Sequence, residues 1–545
     1  MVMLNYSLDE MNNAIGKKLK LEDYERIALK FGLDLESKAG ELNFEVTSDR
    51  VDIVSKYSLA SVFASQLGVS LRRHQHVKKE KSMAVAEKTE RGFVNAIHVK
   101  LDDRIGEDLA EIISMQERLD KNIGRNRKKA AIGFFDYNKI SFPVVYGERE
   151  ESRVNFVPLG YSSKKTYREI VGEVKQGKEY AGLYGKKPVV WSDSRGDILA
   201  LLPVINSNGY SVNEDTRELF VDITGTDKET VNAVTKILIY NLQFLGEVSQ
   251  ILVKYSSGAR PSDFSLGVHR FYLNESAVES MLGVRIGIGK IKKMLSSLDY
   301  GIEPKGKDIL VSPPFYRQDI MHQVDIIDDV MRVFGVEKIP AVLPHSYTDG
   351  EFLGSHYTSQ NIREILAGFG YQEIDLNVLT NEKYQFGSTG IDARDYASLL
   401  PLKSGDVTMA GKNLFPELLR LISNNLHKKF PQRIFSLSNT VEKGTGDTIF
   451  ENRQKLSVVA CEKEANVTDI LSIIKKTLKD SFLMEKISLD YTEGEYSNAF
   501  IKGRAYTIYA DGKQIGVAGE VHPKVLNAFG IELPIALAEI YVDRL

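Results

Sequence analysis

Hydrophobic and polar positions alternate along the chain between the spacing of a helix face and that of a strand. Leu219–Ile223 and Val248–Val253 are short apolar runs that predict buried strands. Thr226 and Glu229 follow the first run with capping-box spacing. The helix predicted there has an apolar stripe, formed by Val231, Val234, Leu238 and Leu242. Strands and helices mix without a regular βαβ order, which indicates an α+β protein.

Three polar or turn-rich stretches predict boundaries between segments: Val77–Gly92, Ser256–Gly267 and Leu343–Gly354. At 545 residues the chain is too long for one hydrophobic core. We therefore predict a multidomain protein with domains at residues 1–76, 92–256, 267–343 and 354–545.

The first and third segments resemble each other, which predicts an internal repeat. Each has a strand, then an Arg-x-Asp sequence, then a helix that ends at a glycine. The matched features are Leu42–Val46 with Asp308–Ser312, Arg50 and Asp52 with Arg317 and Asp319, and Gly68 with Gly335. Chance similarity between two small helical units is the alternative.

The helix of the third segment carries an unusual number of acids. Asp325, Asp328 and Asp329 lie on one side of it, and Asp319 stands just before it. Like charges at this spacing oppose a helix, whereas Mg²⁺ binds carboxylate oxygens and would reverse that cost. The alternative is a solvated acidic face. The matched positions in the first segment are Asp52, Ser58, Ser61 and Val62, so the fold does not require all the acids, and this favours a metal site.

Composition and net charge limit the compartments in which the protein is expected and the partners that it is expected to bind. Hydrophobic residues make up 43% and charged residues 27%, as in soluble globular proteins. No apolar run is long enough for a bilayer and the N-terminus has no secretory pattern, so we expect a cytoplasmic protein that does not enter membranes. The lone Cys461 fits a reducing compartment. The net charge is −3, so any contact with nucleic acid must use a local basic patch.

Two features of the second segment are candidate binding groups. Gly124–Lys129 holds four cations, Arg125, Arg127, Lys128 and Lys129, which we interpret as phosphate ligands or else as a solvated loop. Asp222 and Thr224 stand where a predicted strand meets a turn, and together they offer an acceptor and a donor for a substrate hydroxyl. The alternative is that these two side chains only satisfy the turn.

Several sequences resemble the beta chains of phenylalanyl-tRNA synthetase, archaeal/eukaryotic type. PPFYRQDIMHQVDIIDDVMRVFG is similar to the B5 domain, RNRKKAAIGFFDYNKI and LFVDITGTD to the B3/B4 domain, and AGEVHPKVLNAFGI to the C-terminal catalytic-like domain. The resemblance covers nearly the whole chain. It implies an N-terminal B1-like domain and a B5 domain that are small, helix-rich, winged-helix-like repeats. It also implies a B3/B4 α/β domain of editing type and a class II synthetase-like antiparallel sheet domain.

The resemblance also implies site residues. Mg²⁺ is expected at Asp319, Asp325, Asp328 and Asp329, although family members often have Glu at the position of Asp328. The editing pocket, which hydrolyses tyrosine wrongly attached to tRNA(Phe), is expected at Asp222 and Thr224, with Asn206 and Ser207 on a neighbouring loop. A hydrophobic pocket that selects phenylalanine for aminoacylation discriminates only weakly against an added hydroxyl group. Tyrosine that is wrongly attached to the tRNA therefore has to be removed at a second site. The basic loop is expected to bind tRNA.

The resemblance finally implies a division of labour. An alpha subunit would bind ATP and phenylalanine and carry out aminoacylation, and this chain would join it in an α2β2 heterotetramer. Arg504 and Arg544 are the arginines of the last fifty residues, and neither lies in a glycine-rich ATP-clamping context. The C-terminal domain is therefore expected to lack aminoacylation residues. The alternatives are a non-editing subunit that only assembles the alpha chain and binds tRNA, and a self-sufficient synthetase.

Overall fold

The structure is a computed structural model that describes residues 2–38, 40–87, 89–183, 187–256, 264–343, 349–400, 406–444, 446–484 and 486–545. It contains two compact units, Met1–Pro344 and His345–Leu545, which are treated separately below. The predicted boundaries Ser256–Gly267 and Leu343–Gly354 lie partly outside the described residues. Within the described residues, no helix is long and apolar enough to cross a membrane.

The N-terminal part of the first unit is a small sheet covered by helices. Its elements are β1 (Val2–Ser7), α1 (Leu8–Ile15), α2 (Leu21–Phe31), β2 (Asp34–Lys38), β3 (Glu41–Val46) and α3 (Lys56–Leu67). The strands pair in the order β1-β3-β2. Tyr24, Phe44 and Phe63 pack together in its core.

A large sheet follows. Its region contains β4 (Val77–Ala86), β5 (Phe93–Leu101), α4 (Asp108–Lys121), β6 (Ala130–Asp136), β7 (Val144–Glu148), β8 (Asn155–Phe156), β9 (Lys165–Thr166), α5 (Tyr167–Glu173), α6 (Lys175–Tyr180), β10 (Val189–Ser192), β11 (Ile198–Leu202), β12 (Ile205–Asn206), β13 (Glu218–Gly225), α7 (Lys228–Leu242) and β14 (Gly246–Tyr255). The main sheet runs β12-β11-β10-β7-β4-β14-β5-β13-β6, and α4 and α7 contribute to the core on one face.

Two details of this region correct the sequence predictions. The first ten residues of Val77–Gly92 are not part of a linker, because they form β4, which lies between β7 and β14 inside the sheet. Lys78 and Lys79, near the start of β4, are exposed, whereas Ala84 and Ala86 are buried. The cap of α7 is also one residue later than predicted, because Asp227 accepts a hydrogen bond from the backbone N–H of Thr230.

The C-terminal part of the first unit confirms the internal repeat. It contains β15 (Phe271–Leu273), α8 (Glu275–Leu282), α9 (Ile288–Ser296), β16 (Gly301–Lys305), β17 (Asp308–Ser312) and α10 (Gln323–Phe334). Both copies follow the order strand, two helices, two strands, helix, and their sheets run β1-β3-β2 and β15-β17-β16. Gly68 and Gly335, at the ends of α3 and α10, have φ of 65° and 96°, a conformation that favours glycine.

The second unit contains α11 (Gly354–Gly368), β18 (Gln372–Glu373), β19 (Leu379–Thr380), β20 (Met409–Ala410), α12 (Phe415–Asn424), β21 (Gln432–Lys443), β22 (Phe450–Cys461), α13 (Val467–Phe482), β23 (Ile487–Tyr491), β24 (Phe500–Ala510), β25 (Lys513–Val521), α14 (Pro523–Ala528) and β26 (Ile535–Tyr541). Its main sheet runs β18-β21-β22-β26-β25-β24-β23 and is antiparallel except for the β18–β21 pair. Apolar clusters lie along this sheet and its helices.

Candidate functional sites

Asp222 and Thr224 lie on the same face of β13, because alternate residues of a strand point to the same side. Asp222 pairs with Ala96 of β5 and Gly133 of β6, so its two neighbours across the sheet are small. A Cβ on Gly133 would stand 2.2 Å from Asp222 Oδ1. The carboxyl group therefore rests against a position that only glycine allows.

This part of the sheet contains buried polar groups without hydrogen-bond partners. Asp222 and Thr224 are each 0% exposed, and neither Asp222 oxygen nor Thr224 Oγ1 forms a hydrogen bond of good geometry. Trp191 Nε1 and Arg91 Nε are in the same condition. Arg91 donates to the Thr224 carbonyl at 3.0 Å, which ties it to this site. Buried polar groups are nearly always paired in proteins, so this cluster indicates a place prepared for a polar ligand.

The charge state of Asp222 follows from its surroundings. Burial raises the pKa of its carboxyl group to about 7, the nearby Asp120 acts in the same direction, and the Trp191 N–H and the Arg91 guanidinium oppose the rise. Burial also raises the pKa of Asp120 to about 7, against the Arg127 guanidinium 3.0 Å away. Near neutral pH Asp222 thus changes between a hydrogen-bond donor and an acceptor, which suits recognition of a hydroxyl.

The raised pKa predicts how stability depends on pH. A neutral Asp222 is favoured in the folded state, so its contribution is complete below the unfolded pKa and is lost as pH rises to about 7. We expect Asp222→Asn to gain stability over the wild type by about 1.4 kcal/mol per pH unit between about pH 4 and pH 7. Urea unfolding at pH 5, 6 and 8 measures this, and a pH-independent difference would contradict it.

Asn206 and Ser207, the other predicted pocket residues, lie elsewhere around β12. Asn206 lines a cavity of about 210 Å³ together with Arg127, Gln116 and mostly apolar side chains, and Asp222 and Thr224 are not among its lining residues. Ser207 is buried, and its hydroxyl donates to the Val157 carbonyl at 3.5 Å. The structure therefore brings Asp222 and Thr224 together and does not gather all four predicted residues around one cavity.

Trp191 and Arg91 were missed by sequence reasoning. Trp191 is the chain's one tryptophan, and Arg91 lies in a stretch that was interpreted as a boundary. The sequence around Trp191 and Ser192 gave only a weak signal of a functional site, because nothing in the local pattern indicated that this strand lies near Asp222. Only the order of the large sheet brings these segments together.

The predicted basic patch divides into two kinds of residue. Arg125, Lys128 and Lys129 are exposed. Arg127 instead turns inward, where it pairs with Asp120, donates to the carbonyls of Pro203 and Val204 and lies 4.5 Å over the Tyr180 ring. Arg127 is therefore a structural residue of the loop. The other three cations are at the surface, where Lys129 lies 3.9 Å from the Asp227 carboxylate.

The acids around α10 are held by arginines in the first unit. Arg317 is buried and pairs with Asp319 at 2.6 Å and with Asp329 at 2.7 Å. Asp329 also accepts from the Tyr300 hydroxyl at 2.6 Å. The first copy of the repeat has the same pairing, since Arg50 holds Asp52 through two bonds of 2.9 Å. These contacts form what we call the arginine network.

The two remaining acids also have partners in the protein. Asp325 accepts hydrogen bonds from the backbone N–H groups of Met321 and His322 at 2.8 Å, so it completes the capping box of α10. Ser58 does the same at the start of α3. Asp328 pairs with Arg332 at 2.6 Å, and Arg332 donates to the Phe31 carbonyl of the first copy.

The four acids do not fit one shared Mg²⁺ ion in this arrangement. Across the described residues, no group of three or more His, Cys, Asp or Glu side chains is placed to hold a metal. The physical reason is that Arg317 supplies the positive charge for Asp319 and Asp329. Asp325 and Asp328 each have one carboxylate oxygen for which the described part of the chain provides no hydrogen-bond partner. Mg²⁺ commonly uses one or two carboxylates and keeps its waters, so Asp325 and Asp328 are the two predicted ligands that the arginine network leaves for such an ion.

Comparisons with known proteins agree on one family. The sequence model "Phenylalanyl tRNA synthetase beta chain CLM domain" matches residues 339–542, and "tRNA synthetase B5 domain" matches residues 271–336. A phenylalanine–tRNA ligase beta subunit of Archaeoglobus fulgidus is 30% identical over 93% of this chain and 92% of its own length. One of Pyrococcus horikoshii is 28% identical over 100% of both chains.

A solved structure supports the same conclusion. The crystal structure of an N-terminal fragment of the phenylalanyl-tRNA synthetase beta subunit from Pyrococcus horikoshii superimposes with a TM-score of 0.57 at 26% identity. The match covers 61% of this chain and 99% of the fragment. The mixed α/β architecture with several sheets therefore has an experimental counterpart.

Proposed function

The chain belongs to the family of phenylalanine–tRNA ligase beta subunits, and on this basis we propose that it works as the proofreading and assembly subunit of that ligase. An alpha subunit binds ATP and phenylalanine and carries out aminoacylation, and two copies of each chain form the complex. The four predicted domains, 1–76, 92–256, 267–343 and 354–545, are proposed as its B1-like, B3/B4, B5 and catalytic-like domains. The second of them also takes in β4, which lies inside its sheet.

Editing is proposed at Asp222. The observation that carries this proposal is a fully buried carboxyl group with a pKa of about 7 and no hydrogen bond of good geometry, beside a Thr224 hydroxyl that also has none. A site of this kind gains its missing bonds from a ligand hydroxyl, and tyrosine differs from phenylalanine by that group alone. A water positioned by the substrate and the site would then hydrolyse the ester between tyrosine and tRNA(Phe). Asn206 is proposed to line the approach, and Ser207 to hold the Asn206 loop.

Binding of tRNA is proposed at Arg125, Lys128 and Lys129. The observation in favour is their exposure on a loop whose residues 125–127 are all left-handed, with φ of 53°, 53° and 63°. Three such residues in a row are costly, and strained loops of this kind concentrate at functional sites. The inward Arg127 holds the loop in this shape, so it supports the phosphate-binding residues without contacting phosphate itself.

A Mg²⁺ ion is proposed at Asp325 and Asp328, with water completing its coordination. The first copy of the repeat supplies a variant that separates the metal role of Asp325 from its capping role. Asp325→Ser keeps the capping box, as Ser58 does, and is expected to keep the free energy of unfolding within about 0.5 kcal/mol. Asp325→Ala is expected to lose about 1 kcal/mol.

The metal readout for these variants is a rise in thermal unfolding temperature when Mg²⁺ is added to metal-free protein. We expect this rise in the wild type and not in Asp325→Ser. An equal rise in both proteins would remove Asp325 as a ligand. An absent rise in the wild type would remove the metal site altogether.

The test of the division of labour is reconstitution with an alpha subunit. We expect the two chains to copurify, and we expect ATP–pyrophosphate exchange from the complex and none from this chain alone. Exchange by the purified chain would instead support a self-sufficient synthetase. A complex that aminoacylates but leaves mischarged tRNA intact would support a subunit that assembles and binds tRNA without editing.

A further inference from the structure

Trp191 lies against the Asp222 site with its side chain wholly inside the protein. It belongs to β10, where it pairs with Ala200 of β11 and Tyr146 of β7. The register of β10 shifts between Trp191 and Ser192, and such irregularities turn side chains away from their regular direction. The indole is 0% exposed and is the largest fully buried side chain of the described residues.

Aromatic rings hold the indole in place. Its ring is perpendicular to that of Phe220 at 5.9 Å and tilted against that of Tyr146 at 5.1 Å. Phe220 is on the same face of β13 as Asp222, because the two are two positions apart on the strand. Across the sheet, the neighbours Ala96 and Ala200 are small. The space around Asp222 is therefore shaped by rings and small side chains, and a flat aromatic ring fills it.

The polar end of the indole does not complete this packing. The Trp191 N–H acts on the Asp222 carboxyl group and lowers its pKa, yet neither group forms a hydrogen bond of good geometry. A buried indole N–H normally finds a partner, and leaving one unpaired costs about 1–3 kcal/mol. The indole ring thus fills the space beside Asp222. Its N–H, however, leaves the Asp222 carboxyl group and the Thr224 hydroxyl without good hydrogen bonds.

We infer that Trp191 closes the Asp222 site in the unliganded chain and must leave it before an aromatic ring with a hydroxyl group can enter. This inference rests on the proposed editing function and names the side chain that controls access to it. The occupant is a phenol, because a phenol provides both the flat ring that the indole replaces and the hydroxyl that Asp222 and Thr224 lack. Trp191 is accordingly a specificity-determining residue, because it favours ligands whose binding free energy offsets the cost of displacing the indole.

The first experiment opens the site by mutation in the reconstituted complex. Trp191→Leu should bind p-cresol at least tenfold more tightly than toluene, which has the same shape without the hydroxyl, and at least tenfold more tightly than the wild type does. Adding Asp222→Ala should abolish the preference for p-cresol. Phe156→Leu, at a buried ring in a separate core cluster, should bind neither compound. Equal binding of p-cresol and toluene by Trp191→Leu would overturn the inference.

The second experiment needs no mutation, because this chain has one tryptophan. A complex with 5-fluorotryptophan in this chain only should show a single fluorine resonance. It should shift to a solvent-exposed position when 3′-tyrosylamino-3′-deoxyadenosine is added, and remain in place with the phenylalanyl analogue. An unchanged resonance at millimolar tyrosyl analogue would overturn the inference even if Trp191→Leu fails to fold.

Different results would contradict the editing hypothesis and the hypothesis that Trp191 closes the site. If the wild-type complex does not hydrolyse Tyr-tRNA(Phe), editing is wrong, and the p-cresol preference of Trp191→Leu still decides whether Trp191 closes the site. If hydrolysis occurs, Trp191→Leu should lower KM for Tyr-tRNA(Phe) at least threefold with little change in kcat. Hydrolysis with an unchanged KM and an unchanged fluorine resonance would leave editing in place and reject the closure.

Discussion

Arg317→Met is expected to lower the free energy of unfolding of the first unit by about 3–5 kcal/mol, because it leaves the buried Asp329 carboxylate and the partly buried Asp319 carboxylate without their cation. Asp329 is 2% exposed and depends on Arg317 and on the Tyr300 hydroxyl. The negative charge of Asp52 in the first copy also acts on the Arg317 guanidinium and contributes to raising the pKa of Arg317. The variant therefore disturbs the arginine network on both sides of the repeat, although methionine fills a similar volume.

Urea unfolding of the complex, followed by a probe in the first unit, measures this effect. A matched control exists in the same repeat, because Arg270 pairs with Glu303 at 3.0 Å but both side chains are about half exposed. Arg270→Met should cost no more than about 1 kcal/mol. Equal effects of the two substitutions would show that the arginine network does not stabilise the repeat, and that the acids of α10 need another explanation.

Asp222→Ala is expected to slow hydrolysis of Tyr-tRNA(Phe) by at least about a hundredfold, because the tyrosine hydroxyl would then enter a buried site without its main partner. Aminoacylation with phenylalanine should not change, since that chemistry is assigned to the alpha subunit. The assay follows release of labelled tyrosine from mischarged tRNA by the reconstituted complex, at pH values on both sides of 7.

Another buried acid of the same sheet provides the control. Asp136 ends β6 and already has partners, the backbone N–H of Asn138 and the Thr216 hydroxyl. Asp136→Asn should change stability and leave hydrolysis within about twofold, because this carboxyl is satisfied by the protein itself. Equal losses from Asp136→Asn and Asp222→Ala would indicate a general effect on the sheet and would contradict a special role of Asp222.

Local signals in the sequence were enough for the repeats. The strand Asp308–Ser312 was predicted with the bounds that the structure gives, and both helices end before the predicted glycines. These features depend on neighbouring residues, because turn and cap preferences are local. Charged residues misled the prediction for Val77–Ala86, since a strand inside a sheet was not expected to carry lysines near its start.

The acids of α10 show what a comparison of repeat copies can and cannot reveal. Asp325 matches Ser58, and the different side chains perform the same capping role. The loss of an acid at a matched position therefore did not prove that the acid has no structural role. Asp329 matches Val62, and its burial against Arg317 and Tyr300 depends on side chains from elsewhere in the repeat that sequence spacing does not place.

The Asp222 site also has features that the sequence predicts and features that only the structure shows. The shared face of Asp222 and Thr224 follows from the alternation of a strand and could be predicted. Trp191, Arg91 and Gly133 come from other strands and loops, and only the strand order of the large sheet brings them together. The lack of hydrogen bonds of good geometry, which best distinguishes this site from an ordinary turn, is a property of the packed structure alone.

The central claim is that this beta subunit proofreads, and hydrolysis of Tyr-tRNA(Phe) by the reconstituted wild-type complex tests it most directly. Tyr-tRNA(Phe) and Phe-tRNA(Phe) are incubated with the complex and, separately, with buffer, and the loss of each amino acid is followed. We predict rapid release of tyrosine from the first tRNA while phenylalanine remains attached to the second. Decay of Tyr-tRNA(Phe) at the buffer rate would contradict the claim.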